Sequence, residues 1–296
     1  MGAYINKGSL GFKSALNSEY VDKTGLIAEI NATLFTEKRF TCVSRCRRFG
    51  KSMAAKMLRA YYDCSCDSRE LFKGLEIEKH PSFEQHLNKY RVINLDINEF
   101  VMRYKRKEDI VDRFQKEIIN DISEFYSEIP LSENDDLLLY LFRIAEKTDE
   151  KFIMIIDEWD AICREFDPRS KAMKDYVDFL RLMFKSDKGQ DVFAGVYMTG
   201  ILPIKKQGTE SSLNNFWEYS MTQPRRLAKY FGFTKAEVQA LCEKHNMPME
   251  DLERWYDGYS IGDEPSMFNP SSVMKAIDCG KCDNYWSTTG YFDAIT

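Results

Sequence analysis

Apolar residues in this chain alternate between two spacings. Short β-rich runs at 39–44, 91–97, 152–156 and 192–198 are separated by stretches in which apolar residues return every three to four positions. The run 152–156 is uninterrupted Phe-Ile-Met-Ile-Ile, which suits a strand covered on both faces. Helical spacing marks 23–33, 52–63 (Met53, Met57, Leu58, Tyr61), 108–126 (Ile110, Phe114, Ile118, Ile122), 133–147 and 171–185 (Met173, Tyr176, Leu180, Phe184). Residues 1–22 are polar with several glycines and read as a lead-in. Strands alternating with helices predict an α/β fold: a three-layer sandwich around a mainly parallel sheet with right-handed crossovers.

The pattern changes near residue 223. Stretches 224–230, 234–245 and 249–256 read as short helices, with Thr234 and Glu237 spaced as a capping box. Asp257-Gly258 reads as a turn, 259–261 with 266–268 as a small hairpin, and Asn269-Pro270 as the start of a helix to 277. Two units are expected: 1–222, and a smaller, mostly helical lid over 223–296.

Composition narrows the class. A chain of 296 residues with 44% hydrophobic and 30% charged residues has the profile of a soluble globular protein, not of a disordered, collagenous or disulfide-stapled one. A net charge of −5 argues against a protein whose main task is coating nucleic acid. No apolar run approaches the ~20 residues of a membrane span, and the N-terminus lacks a signal-peptide core. The expectation is a cytoplasmic protein with no membrane association. In that compartment the eight cysteines are reduced thiols. Cys279-Gly-Lys-Cys282 is the only C-x-x-C and has no second pair at zinc spacing, while His80, His86 and His245 are scattered.

The chemistry-bearing segment is Ser44-Arg45-Cys46-Arg47-Arg48-Phe49-Gly50-Lys51-Ser52, between an expected strand and an expected helix. Gly50-Lys51-Ser52 matches the end of a P-loop, G-x-x-x-x-G-K-[ST], with Arg45 in the first-glycine slot. Backbone N–H groups of such a loop face a β-phosphate and the helix dipole adds attraction. Lys51 would reach the β/γ-phosphates and Ser52 would ligate Mg²⁺. Arg45, Arg47 and Arg48 add positive charge beside it, and Phe49 and Met53 complete the segment. The apolar run 152–156 leads straight into Asp157-Glu158, a Walker B arrangement. Asp157 would hold Mg²⁺ through water and Glu158 would activate the attacking water. The long interval between Lys51 and Asp157 leaves room for a further strand at 91–97, as in AAA-type ATPases. Their next strand ends in a polar residue that senses the γ-phosphate, and Thr199 is nominated for that role.

Tyr20-Val-Asp-Lys-Thr24, Arg45–Ser52, Ile155-Ile-Asp-Glu-Trp-Asp160 and Thr199-Gly-Ile-Leu-Pro203 together resemble the bacterial AAA-ATPase-like family. Phe231-Gly-Phe-Thr234, Trp255-Tyr-Asp-Gly-Tyr259 and Asn269-Pro-Ser-Ser272 fit the same family, so the resemblance runs over about residues 5–290. Arg in the first-glycine slot is shared with the family, whereas Cys46 stands where members usually carry Pro. The resemblance implies ATP with Mg²⁺ as cofactors, Tyr20 and Asp22 near the adenine end, and Arg225, beside Arg226, touching the γ-phosphate from the lid. Members often carry a further nuclease-like domain of the PD-(D/E)XK type. This sequence stops at Thr296, soon after Tyr285-Trp286-Ser287-Thr288-Thr289, and is expected to be a shortened or naturally short form without it.

The expected activity is ATP hydrolysis. The alternative is a nucleotide-gated switch or interaction module with negligible turnover, regulating a nuclease-like domain, and self-association or a protein partner is compatible with both. Adenine is favoured over guanine because no Asn-Lys-x-Asp tetrapeptide is present. Nucleic acid is not favoured as a partner: the basic run Tyr104-Lys-Arg-Lys107 reads as a solvated face. Asp160 is expected to cap the following helix, and Trp255–Tyr259 to supply core aromatics and a turn.

Overall fold

The computed structural model describes residues 2–104, 107–204, 213–262 and 264–285. Strands β1 (Phe40–Ser44), β2 (Arg91–Asp96), β3 (Phe152–Asp157), β4 (Phe193–Gly200) and β5 (Trp217–Tyr219) form one sheet in the order β2-β3-β4-β1-β5. Every neighbouring pair is parallel. The α/β expectation holds, and the order adds what periodicity could not show. β2 lies between β1 and β3 in sequence but at the sheet edge in space, and it is β4 that separates β1 from β3.

Alternation along the strands divides the core into two layers. Met154 and Ile156 of β3 join Leu95, Val196 and Met198 on one face, under Ile110–Phe125, Leu137–Thr148 and Lys171–Lys185. Ile153 and Ile155 join Val43, Val92 and Tyr197 on the other, under Gly25–Asn31 and Lys51–Tyr62. A bulge in β4 sets this phase: Phe152 pairs with Phe193 but Ile153 with Gly195. The skipped Ala194 turns its carbonyl to the Phe35 N–H at 2.9 Å.

The polar lead-in is ordered by the fold rather than by its own pattern. Tyr4–Asn6 runs along β2, with Asn6 N–H donating to Val92 O and Asn94 N–H to Tyr4 O, both at 2.8 Å. This covers the sheet edge. The helix Leu10–Leu16 then packs Phe12 against Tyr20 and Phe72.

A second core begins at Phe233. A small antiparallel sheet, β6 (Phe233–Thr234), β7 (Asp257–Ile261) and β8 (Glu264–Phe268), in the order β6-β8-β7, packs with the helices Lys235–His245, Met249–Tyr256 and Pro270–Cys279. The Thr234/Glu237 capping box forms as its spacing requires. Asp257-Gly258 is not a turn but opens β7; the chain reverses at Gly262, where φ is +62°. The 3-10 turn Arg225–Tyr230 lies beyond the expected boundary at 222. Its Leu227 and Tyr230, with Phe231, pack in the core of the larger unit.

One contact joins these parts, and a second close approach lies within the larger one. Phe49, in the loop after β1, is fully buried among Ala228, Ile261 and Met267, with its ring edge-on to Tyr259 at 4.9 Å. Its carbonyl accepts from Gly232 N–H at 3.2 Å. At the end of β4, Gly200 sits under the Trp159 indole, where a Cβ would lie 2.5 Å from Nε1 and 2.8 Å from Asp160 Oδ1.

Gly200→Ala is therefore expected to lower the unfolding free energy by roughly 1–3 kcal/mol, measured from urea midpoints; an unchanged midpoint would mean that the indole shifts freely. Phe49→Ala should raise amide-exchange rates in β7 and β8 while leaving β3 and β4 protected. Unchanged exchange in β7 and β8 would show that Phe49 does not hold the small sheet.

Candidate active site

The loop after β1 takes its shape from two residues in the left-handed region, Arg48 (φ +68°) and Gly50 (φ +85°). Gly50 is the N-cap of Lys51–Tyr62, so the loop's end and the helix N-terminus open on the same space. Lys51 is buried, and its Nζ donates to the carbonyls of Arg45 and Cys46, each at 3.0 Å. Burial lowers the ammonium's pKa, while the charges of Glu158, Asp157 and Asp160 act the other way.

β3 delivers the acidic side. Asp157 ends the strand; its Oδ1 accepts the Thr199 hydroxyl from the end of β4 and the Glu158 N–H at 3.1 Å. Thr199 is wholly buried, so its hydroxyl orients Asp157 from behind instead of facing the cleft. Glu158 has φ +52°, an unusual backbone state for glutamate, and its carboxylate pairs with Arg164. Asp160 is positionally the N-cap of Ala161–Glu165 but makes no side-chain cap bond. Instead its Oδ2 accepts from Ile201 N–H (3.2 Å) and Leu202 N–H (2.9 Å) and lies 3.3 Å from Arg164 Nε. The expected cap is thus a clasp on the segment after β4.

These elements border a cleft of about 670 Å³ at the C-terminal edge of the sheet. Arg47, Arg48, Phe49, Gly50, Lys51, Ser52 and Met53 line it from the loop and helix, Asp157 and Glu158 from β3. Tyr20 and Val21 contribute from the lead-in, and Phe233, Ser271 and Met274 from the small unit. The Tyr20 hydroxyl points to Met57 Sδ at 3.7 Å.

Asp96 was not singled out by sequence. It ends β2 in register with Asp157, lines the same cleft, and accepts from Asn98 N–H (3.0 Å) and Glu99 N–H (3.3 Å). Burial and the nearby Asp157 charge raise its pKa. The available signal was a second apolar strand ending in aspartate, legible only once β2 is known to neighbour β3.

Besides Thr199, three expected site residues lie outside the cleft lining. The Arg45 guanidinium turns into the protein, donating to Tyr219 O at 2.6 Å and Ser44 O at 3.0 Å and stacking over Phe231 at 5.5 Å. Asp22 is spent on local turns, accepting from Thr24 N–H (2.8 Å), the Thr24 hydroxyl (2.7 Å) and Glu76 N–H (2.7 Å). Arg225 stacks over Trp217 at 5.4 Å, and Arg226 pairs with Glu29 at 3.1 Å, both away from the cleft. Of the aromatics at 255–259, Tyr256 is buried in the small core as expected, whereas Trp255 and Tyr259 are partly exposed, Tyr259 serving as Phe49's partner. In the basic run, Lys105 and Arg106 lie outside the described residues.

The eight cysteines are free thiols. Among the described residues, no three His, Cys, Asp or Glu side chains converge to hold a metal unaided, and no helix is long and apolar enough to cross a membrane.

Comparison with known proteins yields a family match over the loop and strand motifs. No curated protein matches the chain. Among solved structures, the ORC2 protein of Aeropyrum pernix, described as ADPNP-ADP complexes, aligns at 10% identity with a TM-score of 0.41. The alignment covers 88% of this chain and 63% of that one, so this chain spans less than two thirds of that protein. The AAA-ATPase-like family, described as Predicted AAA-ATPase, matches residues 14–209, which hold β1 through β4 and both motifs. The chain belongs to this AAA-ATPase-like family.

Proposed function

We propose that the protein binds ATP with Mg²⁺ in the cleft between the Lys51 loop and the end of β3, and hydrolyses it there. The observation that carries this reading is the facing of Lys51 and Ser52 on one wall by Asp157 and Glu158 on the other. The loop N–H groups and Lys51 hold the phosphates, and Tyr20, Met53 and Met274 border the wider end, which suits adenine. Residues from 223 onward act as the lid, and the protein works in the cytoplasm.

The donor set fits Mg²⁺. The Ser52 hydroxyl and the Asp157 carboxylate are hard oxygen donors, and among the described residues too few protein ligands converge for a closed cage. Magnesium characteristically takes its remaining ligands from phosphates and water. When bound, it would offset charge on the phosphate oxygens, held by Ser52 and by Asp157. The protein's own work is then positional. Thr199 fixes the Asp157 carboxylate, and Glu158, once released from Arg164, takes a proton from water aimed at the γ-phosphate.

One observation favours a second reading. The Glu158 carboxylate is engaged by Arg164, and Lys51 by its own loop. A nucleotide-gated switch with negligible turnover, acting on a partner or a nuclease-like domain, would use such a resting state.

Lys51→Ala is expected to weaken ATP binding roughly 10–100-fold, the worth of a charge-assisted phosphate contact, in equilibrium titrations. Glu158→Gln should bind ATP as wild type does while phosphate release falls about 10²–10⁴-fold. Turnover retained in Glu158→Gln would remove that residue from the base role. Tight binding by the wild type without phosphate release would favour the switch.

A further inference from the structure

Arg45 is a cation with nowhere to discharge its cost. Its side chain is fully buried, yet Nε and Nη2 have no hydrogen-bond partner, and no carboxylate pairs with it among the described residues. Its compensation is limited to the carbonyls of Ser44 and Tyr219 and the face of Phe231. Burial draws its pKa down to about 10, which still leaves it charged at neutral pH. A buried charge without a counter-charge is normally strongly destabilising.

Its position indicates what the missing partner is. Arg45 opens the loop that Lys51 closes: its carbonyl accepts from Lys51 Nζ, while its guanidinium turns the other way, into the protein, to the Tyr219 carbonyl of β5. Anything anionic seated on that loop therefore lies in the field of two buried cations, Lys51 at its end and Arg45 at its start. The solvent-side arginines, Arg47 and Arg48, are screened by water, whereas Arg45 acts through protein, where a charge is felt more strongly.

We infer that Arg45 is an electrostatic positioning residue for the polyphosphate: a cation buried at the start of the loop, never touching the ligand, whose missing counter-charge the bound phosphates supply. This rests on the nucleotide reading above and assigns Arg45 a part in it other than direct contact. Two consequences have opposite signs. Neutralising Arg45 relieves the empty protein, and it weakens binding in proportion to the charge of the ligand. A residue that merely shaped the loop would affect every nucleotide alike.

The test uses the full chain as wild type, Arg45→Met, Arg45→Gln and Arg45→Lys. ATP, ADP and AMP are titrated at low salt, and urea midpoints are measured without nucleotide. The neutral variants should bind ATP about tenfold more weakly, ADP less affected and AMP least, while Arg45→Lys stays within roughly threefold of wild type. Their midpoints without nucleotide should equal or exceed that of wild type. Equal losses for all three ligands, or no loss, would overturn the inference. So would neutral variants that fold less stably or not at all, since the charge would then be holding the fold together. A wild type that binds no ATP would instead bring down the nucleotide reading and this inference with it, an outcome distinct from a wild type that binds while the variants show no charge dependence.

Discussion

The site depends on one constraint, the insertion of β4 between β1 and β3 in an all-parallel sheet. The registers Val43 with Thr199 and Ile156 with Met198 bring the three strands to the same edge together. Parallel strands end on a common side, so the loop after β1 and the carboxylates after β3 must share a cleft whatever their distance in sequence. Thr199 makes the spacing specific, because its hydroxyl joins the end of β4 to Asp157. The bulge at Ala194 sets the phase of side chains that leads β4 to this point.

The groups gathered there are already engaged with one another. Lys51 is held by two loop carbonyls, Glu158 by Arg164, and Phe49 by the small sheet. Such bonds keep buried polar groups from going unsatisfied and hold the loop in shape before any ligand arrives. They also tie the loop to the small unit: Phe49 follows Arg45-Cys46-Arg47-Arg48 and precedes Gly50-Lys51, so a displacement of β7 and β8 reaches the loop through its side chain. Arg45 adds a charge the fold leaves uncompensated. Together these couple the shape of the cleft to the packing of the small unit and to local stability.

Much of this was legible in the sequence, for identifiable reasons. The run 152–156 and its Asp157-Glu158 ending declare a buried strand and its acidic tip, and Gly50-Lys51-Ser52 declares the loop's end. The helices with strong apolar periodicity also came out close to their observed spans. Features set by tertiary contact were not legible. β5 is a three-residue strand recruited by β1, and the lead-in pairs with β2 despite its polar glycine-rich composition. Asp22 and Arg225 sit in motif-like segments, but their side chains are claimed by Glu76 N–H and by Trp217. Motif position fixes where a backbone goes; the direction of a long side chain is decided by what surrounds it, as the inward turn of Arg45 shows.

The most direct measurement is Mg²⁺-dependent phosphate release from ATP by the wild-type chain, with ATP binding followed on the same sample. The account predicts saturable ATP binding, and phosphate release that stops when Mg²⁺ is chelated and resumes when it is restored. No ATP binding at millimolar nucleotide would contradict it, because the loop and the β3 carboxylates would then share a cleft without sharing a ligand.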